Sequence, residues 1–497
     1  MLNPTPTDVQ TRSLDPQDWE ATRALAHQML DDMLTYLQTA GERPAWQPMD
    51  SAARAPFAGP LPDQPQGLEQ AYHDFVDTVL PYPLGDTHPR FFGYVNSNGT
   101  VEGMLAQMLA AGMNSNTGGA AHAANLVEQQ VIDWMKGAFG YPAESSGVLT
   151  SGGSMANLIG LAVGRHVHAE KLGVAVRKTG MQGIPLRMRV YVSAETHSSV
   201  QRAVETLGMG TDSMCVIPVD ADFRMDIAAL EAAIAGDRAA GLHPFCIVGS
   251  AGTTNTGSFD DLEALADICA REGLWYHIDG AIGAVGALSE HMAPLVKGMT
   301  RADSLAFDMH KWLFVNYTVG CVLVRDAAAH RATFALTPPY LKRAERGLAA
   351  DGVWFSDYGV ELSREFRGLK VWMMLKSQGA ARFGEMIDQN NALAAYLAAL
   401  VDADPLMERL APVAIHVVNF RYAPAGLTES QLDALNDRIV IEIQERGIAV
   451  PTRTVVRGKY SIRVCVNNHR TTSQDIRILF DAVKSLGAEL LAEMAQG

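Results

Sequence analysis

The sequence lacks an excess of positive charge, a long apolar run and a leader segment. Its 497 residues carry a formal net charge of -15, which argues against a nucleic-acid-binding surface and favours a soluble, cytoplasmic protein. No uninterrupted apolar run approaches the ~20 residues that a transmembrane helix needs. The first residues lack the basic and apolar regions of a signal peptide. We therefore expect neither a nucleic-acid partner nor a membrane partner.

Cysteine is also scarce. The chain has five cysteines, none of which forms a Cys-x-x-Cys pair, and most lie inside apolar runs. This pattern is typical of reduced thiols in a protein core, so we expect neither a disulfide framework nor a metal site. What remains is the composition of a globular protein, 48% hydrophobic and 19% charged, with enough residues for two or three domains.

Strand-like and helix-like segments alternate through the middle of the chain. Such alternation predicts an α/β fold with a mostly parallel sheet covered by helices on both faces, and ligands bind beyond the carboxyl ends of its strands. The predicted strands are Met188–Val192, Cys215–Val219, Phe245–Gly249, Trp275–Ile278, Ser304–Phe307 and Cys321–Val324. The predicted helices are Asn157–Lys171, Ser198–Leu207, Asp226–Ala235 and Leu262–Arg271.

Three parts of the chain differ in pattern. Residues 1–87 contain helices but no strand, and we predict that the first helix begins at Asp15-Pro16 and a second covers Leu68–Leu80. This arm packs either on a partner subunit or on its own domain. Residues 88–375 contain the alternating pattern, and residues 376–497 are predicted to form a small α+β domain. Its predicted strands are Ala414–Tyr422 and Tyr460–Val466, and its predicted helices are Leu427–Glu445 and Ser473–Met494.

The stretch Ser304–Trp312 places a lysine just beyond a core strand. The apolar run stops at Asp308, and Lys311 follows in a tight connection. A lysine there is either a surface residue or a desolvated amine with a lowered pKa that attacks a carbonyl to form a Schiff base. Spacing alone leaves both readings open.

Three other positions carry similar pairs of interpretations. Ser151–Ser154 is either an N-cap turn or a glycine loop whose N–H groups bind phosphate. His197, where a helix starts, is either a capping residue or an imidazole stacked on a flat ring. Asp279 ends an apolar strand and needs a cation, either an arginine or lysine or a protonated pyridine nitrogen. Taken with Lys311, these features point to pyridoxal 5'-phosphate as the cofactor.

The motifs that hold these residues resemble the group II pyridoxal-phosphate-dependent amino acid decarboxylases, from about Trp19 to about Leu486. The resemblance implies an α/β fold of the fold-type I, aspartate aminotransferase-like class, and a homodimer with shared active sites acting on a small-molecule L-amino acid. The matching segments are His88–Phe92, Thr150–Asn157, Thr196–Val200, Gly252–Thr254, His277–Asp279, Asp308–Trp312 and Arg367–Trp372.

The resemblance also implies roles for single residues. Lys311 would carry the cofactor as a Schiff base, His197 and Ala281 would flank its ring, and Asp279 would pair with its pyridine nitrogen. Thr254 would lie near the ring. The phosphate would lie among Gly153, Ser154, Asp308 and His310.

The proton donor and the substrate are less determined. A loop tyrosine protonates the α-carbon in this family, and Tyr358, in the segment 340–358, resembles it; the alternative is a tyrosine that packs on the small domain. Tyr94, Asn96 and Ser97 are expected to line the substrate pocket, which is poor in aromatics and would suit a small or polar side chain. Arg463 and Arg470 are further candidates to bind a substrate carboxylate, but surface salt bridges are the favoured role for both.

The resemblance predicts decarboxylation of an L-amino acid to an amine and carbon dioxide. One alternative is an aldehyde synthase, which the resemblance associates with loss of the loop tyrosine or of the stacking histidine. Tyr358 and His197 both argue against it. Another alternative is a non-catalytic regulatory subunit, which the presence of Lys311 argues against.

Overall fold

The structure is a computed structural model that describes residues 12–96, 98–184, 187–336, 345–350 and 352–495. Contacts between residues divide the chain into two compact units. The first unit comprises the described residues up to Arg43 together with Met49–Tyr82, and the second comprises Pro44–Pro48 and the described residues from Pro83 onward. Among the described helices, none is both long and apolar enough to cross a membrane.

The first unit is helical, with α1 (Trp19–Gln38), α2 (Ser51–Arg54) and α3 (Leu68–Asp74). The predicted start at Asp15-Pro16 is wrong, because the side chain of Asp18 accepts the N–H groups of Glu20 and Ala21 and so caps α1 three positions later. The predicted second helix is confirmed in position, although its α-helical hydrogen bonding changes to a π-helix over Phe75–Val79.

A seven-stranded sheet forms the centre of the second unit. Its strand order is β1-β7-β6-β5-β4-β2-β3, and β7 runs antiparallel to both of its neighbours while the other pairs are parallel. The strands are β1 (Ser146–Thr150), β2 (Met188–Ser193), β3 (Met214–Ile217), β4 (His243–Ser250), β5 (Trp275–Asp279), β6 (Ser304–Asp308) and β7 (Gly320–Val324). The six predicted strands are confirmed, with small shifts at their ends.

Sequence reasoning missed β1, which lies at the edge of the sheet. Its short apolar run contains Gly147 and leads into a glycine loop, and glycine weakens a strand pattern. The structure gives a packing reason for this glycine. A Cβ atom at Gly147 would lie 2.7 Å from a methyl group of Ile132 and 2.8 Å from one of Leu323.

Nine of the α-helices described in the second unit belong to the layers around this sheet or to its connections. The predicted helices are confirmed, and the first of them begins at Gly153, earlier than expected. The nine are α4 (Val101–Met113), α5 (Ala123–Phe139), α6 (Gly153–Lys171), α7 (Val176–Thr179), α8 (Ser198–Thr206), α9 (Ile227–Ala239), α10 (Leu262–Glu272), α11 (Ala327–Phe334) and α12 (Gly368–Gln378).

A second, antiparallel sheet has the order β10-β11-β9-β8 and its own buried core. It contains both strands predicted for the C-terminal part, and two further strands that the sequence pattern did not reveal. Its strands are β8 (Met407–Arg409), β9 (Val417–Tyr422), β10 (Thr452–Val456) and β11 (Lys459–Cys465), and the accompanying helices are α13 (Ala380–Ala403), α14 (Glu429–Glu445) and α15 (Ser473–Met494). The five cysteines are free thiols, and four of them are buried.

Strand direction gathers several chain segments at one edge of the large sheet. Because β1 and β6 are both antiparallel to β7, they run in the same direction as each other and as β5, β4 and β2. Thr150 and Asp308 both pair with Gly320 at this edge, and Asp279 ends the next strand. The connections after these strands therefore converge beyond their carboxyl ends.

A buried ion pair ties three segments together behind this edge. The Arg364 guanidinium donates to Glu128 on α5 (Nη1 to Oε2, 3.1 Å) and to the carbonyl oxygen of Leu149 in β1 (2.6 Å). Glu128 also accepts the N–H of Leu149, and both charged side chains are almost fully buried. Each of these buried charges is stabilised mainly by its partner and by neighbouring backbone dipoles.

Replacing Glu128 by glutamine leaves a similar shape but an unpaired buried guanidinium. We expect Glu128→Gln to lower the free energy of unfolding by about 3–5 kcal/mol, measured by urea denaturation followed by circular dichroism. The matched control is Glu385→Gln, which breaks the exposed pair between Glu385 and Arg382 and should cost less than about 1 kcal/mol. Equal effects of the two substitutions would contradict this account.

Candidate active site

A cavity of about 630 Å³ opens at the carboxyl edge of the large sheet. Among its lining residues are Tyr94, Asn96, His197, Thr254, Lys311 and Arg463. The first five of these were predicted from the sequence to belong to the site. Ser97, also predicted there, lies outside the described residues.

Lys311 lies in the connection after β6, with its amine directed at a carboxylate. Its Nζ atom is 3.0 Å from Oδ2 of Asp308, and its side chain is 19% exposed. The next residue, Trp312, is fully buried and donates its indole N–H to Asn390 (3.1 Å). Because the indole anchors the connection, the lysine is held at the cavity and is not a freely solvated surface residue.

Asp279 is the last residue of β5 and is buried. Its Oδ2 atom accepts a hydrogen bond from Asn157 (3.0 Å), and its Oδ1 atom accepts the backbone N–H of Ala281 (3.1 Å). It forms no ion pair with a lysine or arginine of the described chain. The described residues therefore do not support an arginine or lysine as the cationic partner of Asp279. The carboxylate is available to a bound cation.

His197 occupies the N-cap position of α8. Its Nδ1 atom accepts the backbone N–H of Ser199 (3.2 Å) and lies 2.9 Å from the hydroxyl oxygen of the same residue. Burial lowers the pKa of His197, and the nearby Asp279 carboxylate partly offsets this effect. The structure thus confirms the capping interpretation, and His197 also lines the cavity; its stacking on a flat ring stays a prediction.

The glycine loop after β1 approaches the end of β6 closely. A Cβ atom at Gly153 would lie 2.9 Å from Oδ2 of Asp308 and 3.2 Å from Cβ of Ala281. Ser154 is exposed in the first turn of α6. The ring of His310 lies against Gly152, where a Cβ atom would be 3.2 Å from its Cε1 atom. Glycine at both loop positions permits this close packing of the loop against its neighbours.

The residues at this edge fit pyridoxal 5'-phosphate. Asp279 offers a buried carboxylate without a cationic partner in the described chain, Lys311 offers an amine, and the start of α6 offers a small-residue loop suited to phosphate. Oδ1 of Asp308 is buried without a hydrogen-bond partner among the described residues. The described chain contains no cluster of three or more histidine, cysteine, aspartate or glutamate side chains placed to hold a metal ion.

The two arginines considered for a substrate carboxylate are not surface residues. Arg463 is buried, and it donates to the carbonyl oxygens of Thr254 (Nε, 2.9 Å) and Tyr94 (Nη1, 3.1 Å). Arg470 donates to the carbonyl oxygens of Asn98 and Gly99. The expected surface salt bridges are therefore wrong, since both guanidinium groups join loops of the second unit through backbone hydrogen bonds.

Tyr358 is not brought to the cavity of its own chain. Its carbonyl oxygen lies 2.8 Å from Nε2 of His330, and its ring packs edge-on against the same histidine. His330 in turn contacts the Ser146 hydroxyl at the start of β1. The cavity lies beyond Thr150 at the other end of that strand, roughly 13 Å away at ~3.3 Å per residue.

Sequence reasoning missed three polar residues next to the site, namely Asn157, Ser199 and His277. Asn157 contacts Asp279, Ser199 and His277 at once. Each of the three belongs to a motif of the resemblance, which was a usable signal. Nothing in the sequence pattern shows that they touch, because Asn157 and His277 are 120 positions apart.

Comparisons with known proteins agree with this geometry. A family model described as the pyridoxal-dependent decarboxylase conserved domain matches residues 51–423. The chain is 34% identical to an aromatic-L-amino-acid decarboxylase of Bacillus atrophaeus, over 95% of this chain and 96% of that protein. It is 27% identical to a phenylacetaldehyde synthase of Arabidopsis thaliana, over 96% of this chain and 98% of the relative.

A solved structure of Oryza sativa TDC with PLP and tryptamine matches this fold with a TM-score of 0.88 at 24% identity, over 96% of this chain and 100% of that chain. The predicted fold-type I α/β architecture and the predicted cofactor are confirmed. The chain belongs to the pyridoxal-dependent decarboxylase family, and it is a carboxy-lyase whose cofactor is pyridoxal 5'-phosphate.

Proposed function

We propose that this enzyme converts an L-amino acid into the corresponding amine and carbon dioxide. The observation that supports the proposal is the convergence of Lys311, Asp279 and His197 on one edge of the large sheet. When bound, pyridoxal 5'-phosphate supplies an electron sink for the pair of electrons left at the α-carbon as carbon dioxide departs. A proton delivered by the protein then takes the place of the carboxylate.

Two carboxylates have different tasks in this proposal. Lys311 Nζ is the attachment point of the cofactor, and Asp308, 3.0 Å away, forms an ion pair with it. Asp279 pairs with the protonated pyridine nitrogen, and such an attraction is worth about 4 kcal/mol at 4 Å under an effective dielectric of 20. Since a carboxylate repels phosphate, Asp308 is assigned to the lysine and not to the phosphate.

Small and polar residues surround the rest of the cofactor in this proposal. The first turn of α6, with Gly153 and Ser154, holds the phosphate, and His310 lies beside it. Ala281 packs against one face of the ring and His197 against the other, with Thr254 nearby. The close approach of Gly153, Ala281 and Asp308 supports this arrangement, because it brings the start of α6 and the connections after β5 and β6 to one place.

His197 is the proposed proton donor to the α-carbon. Its ring borders the cavity together with Lys311, whereas Tyr358 packs on His330 away from that cavity in its own chain. Tyr358 therefore serves as the donor only if it reaches the site of another subunit. The connection before it contains a second tyrosine, Tyr340, which lies outside the described residues.

The proposed substrate has a side chain with hydrogen-bond donors. Most residues that line the cavity are polar. Among the described lining residues, Tyr94 is the one with a phenol ring. Glu195 lines the cavity with its carboxylate half-buried, and burial raises the pKa of Glu195 while a hydrogen bond to Asn255 opposes the shift. A carboxylate in this position accepts hydrogen bonds from a hydroxyl, imidazole or amino group of a substrate.

We also propose a homodimer, located in the cytoplasm and organised as the three parts 1–87, 88–375 and 376–497. The apolar side chains of Met108, Leu109 and Met113 on α4 are about half exposed, and α1 has no buried residue. Exposed apolar surface of this kind marks interfaces, and a second copy of the chain would cover it. Sedimentation at the mass of one chain would contradict the dimer.

Covalent attachment at Lys311 can be mapped directly. We expect hydride reduction of the holoenzyme, followed by peptide mass spectrometry, to place a pyridoxyl group on Lys311, and Lys311→Ala to lose both this label and the visible absorbance. The matched control is Lys370→Met, since Lys370 is buried and burial lowers its pKa to about 8. A label on Lys370, or none on Lys311, would contradict the assignment.

Product stoichiometry tests the reaction and its substrate. Across the common L-amino acids, dihydroxyphenylalanine, ornithine and 2,4-diaminobutyrate, we expect amine and carbon dioxide in equal amounts without peroxide. We expect tyrosine to exceed phenylalanine in kcat/KM by at least about tenfold, because the two differ only in a hydroxyl donor. Glu195→Gln, which keeps an acceptor but removes the charge, should reduce the preference for ornithine more than that for tyrosine.

The same assay separates the two tyrosines. Tyr358→Phe should keep the ratio of amine to carbon dioxide near one. Peroxide and aldehyde produced by Tyr358→Phe would assign the proton transfer to Tyr358, and the same products from Tyr340→Phe alone would assign it to Tyr340. Peroxide from the unmodified enzyme would make it an aldehyde synthase.

A further inference from the structure

Asn157 contacts Asp279 directly and His197 through Ser199, and both Asp279 and His197 are assigned to the cofactor ring. It lies in the second turn of α6, it is fully buried, and its amide contacts three different chain segments. Its Nδ2 atom is 3.0 Å from Oδ2 of Asp279 and 3.0 Å from the hydroxyl oxygen of Ser199. Its Oδ1 atom is 2.9 Å from Nε2 of His277.

The chemistry of these neighbours determines which way the amide points. An ionised carboxylate only accepts hydrogen bonds, so the atom of Asn157 that faces Asp279 must be the NH₂ group. Its second N–H then points to Ser199. The carbonyl oxygen of the amide is left to face His277, which must therefore donate from Nε2.

His277 satisfies this requirement through its own partners. Its Nδ1 atom is 2.7 Å from the Ser304 hydroxyl, and this hydroxyl also accepts the indole N–H of Trp275 (2.9 Å). Ser304 can therefore donate to Nδ1, which leaves the ring proton on Nε2. Burial lowers the pKa of His277 to about 4, so the ring is neutral at pH 7. Gly160 provides the space, since a Cβ atom there would lie 2.7 Å from this ring.

The other arm of the network reaches His197. The Ser199 hydroxyl accepts from Asn157, so its own proton is free to donate to Nδ1 of His197, 2.9 Å away. The backbone N–H of Ser199 also donates to this atom. With two donors facing Nδ1, a neutral His197 carries its proton on Nε2.

We propose that Asn157 is a positioning residue that orients Asp279 for the cofactor's pyridine nitrogen and, through Ser199, holds His197 with its proton on Nε2. The inference rests on the proposed function, which assigns both residues to the cofactor ring. One amide thereby couples the residue at the ring nitrogen to the residue on the ring face. Asn157 itself does not touch the reacting atoms.

The charged groups around His197 come from three elements. Asp279 ends β5, Asp308 and Lys311 lie at and after the end of β6, and Arg202 lies on α8 itself. Both carboxylates favour a protonated ring, whereas the two cations disfavour it. The two donors at Nδ1 add to the preference for the neutral ring in the resting enzyme, which avoids a cation stacked on the protonated pyridine. His197 therefore acts as a proton donor only after its ring takes up a proton from solvent during turnover.

The test measures the binding of pyridoxal 5'-phosphate to the apo full-length chain by quenching of tryptophan fluorescence across pH 4.5–9. We expect Asn157→Leu, which removes both donors, to raise the Kd by about tenfold or more, as loss of a hydrogen bond to a charged group does. We expect Ser199→Ala, which removes only the His197 arm, to leave the Kd at pH 8 within about threefold.

Ser199→Ala should instead change the pH dependence of binding. Loss of the hydroxyl donor destabilises neutral His197 and raises its pKa. The pH below which cofactor affinity falls should therefore move upward by about half a unit to one unit. If Ser199→Ala leaves this pH unchanged, the His197 part of the inference is overturned. Because Ser199→Ala is a small change, it still tests the inference if Asn157→Leu does not fold.

A structural control separates positioning from general stability. Asn436 is also a fully buried asparagine, and it bonds to the backbone of Tyr422 in the second sheet. Asn436→Ala should lower the melting temperature but leave both the Kd and its pH dependence unchanged. If Asn436→Ala weakens cofactor binding as much as Asn157→Leu, or if Asn157→Leu binds within about twofold of the unmodified chain, the inference is overturned.

Different results would contradict the proposed function and the role given to Asn157. Absence of the pyridoxyl label on Lys311 in the unmodified enzyme would contradict the proposed function. A labelled Lys311 in an Asn157→Leu enzyme of unchanged cofactor affinity would overturn only the role given to Asn157.

Discussion

The close approach of two backbone segments at the start of β7 controls the geometry of the whole site. A Cβ atom at Gly320 would lie 2.6 Å from Cα of Gly152 and 2.8 Å from Oδ1 of Asp308. Only glycine permits this contact, and it brings the loop after β1 against the end of β6. The antiparallel β7 thereby makes its two neighbours run in the same direction, so that the start of α6 and the connection containing Lys311 meet.

The buried charged side chains at this edge differ in the partners that stabilise them. Asp308 has Lys311 as its partner, and Arg463 has backbone carbonyl oxygens. Asp279 has only two hydrogen-bond donors and no cation within the described chain. Burying a carboxylate in this way is unfavourable, and the proposed pairing with the cofactor's pyridine nitrogen would relieve this cost. The Arg364–Glu128 pair behind the edge is, by contrast, fully compensated within the protein, which fits a structural role.

The elements that the sequence pattern failed to predict share a physical cause. β1 is short and contains a glycine, and β8 and β10 lie in the small second sheet, so pairing with neighbours stabilises them more than their own residues do. The start of α1 depended on whether Asp15 or Asp18 supplied the capping oxygen. Arg463 and Arg470 looked like surface residues because a charge pattern does not reveal backbone acceptors from distant loops.

The sequence by itself determined the alternation of strands and helices, the identity of the lysine, carboxylate and imidazole, and their positions just after strands. Periodicity and local chemistry are properties of neighbouring residues, so one chain suffices to read them. The tertiary structure decided that Asp279 has no cationic partner among the described residues, that Tyr358 packs away from its own cavity, and that Asn157, Ser199 and His277 form one network. These outcomes depend on contacts between residues far apart in sequence, which strand order and register create.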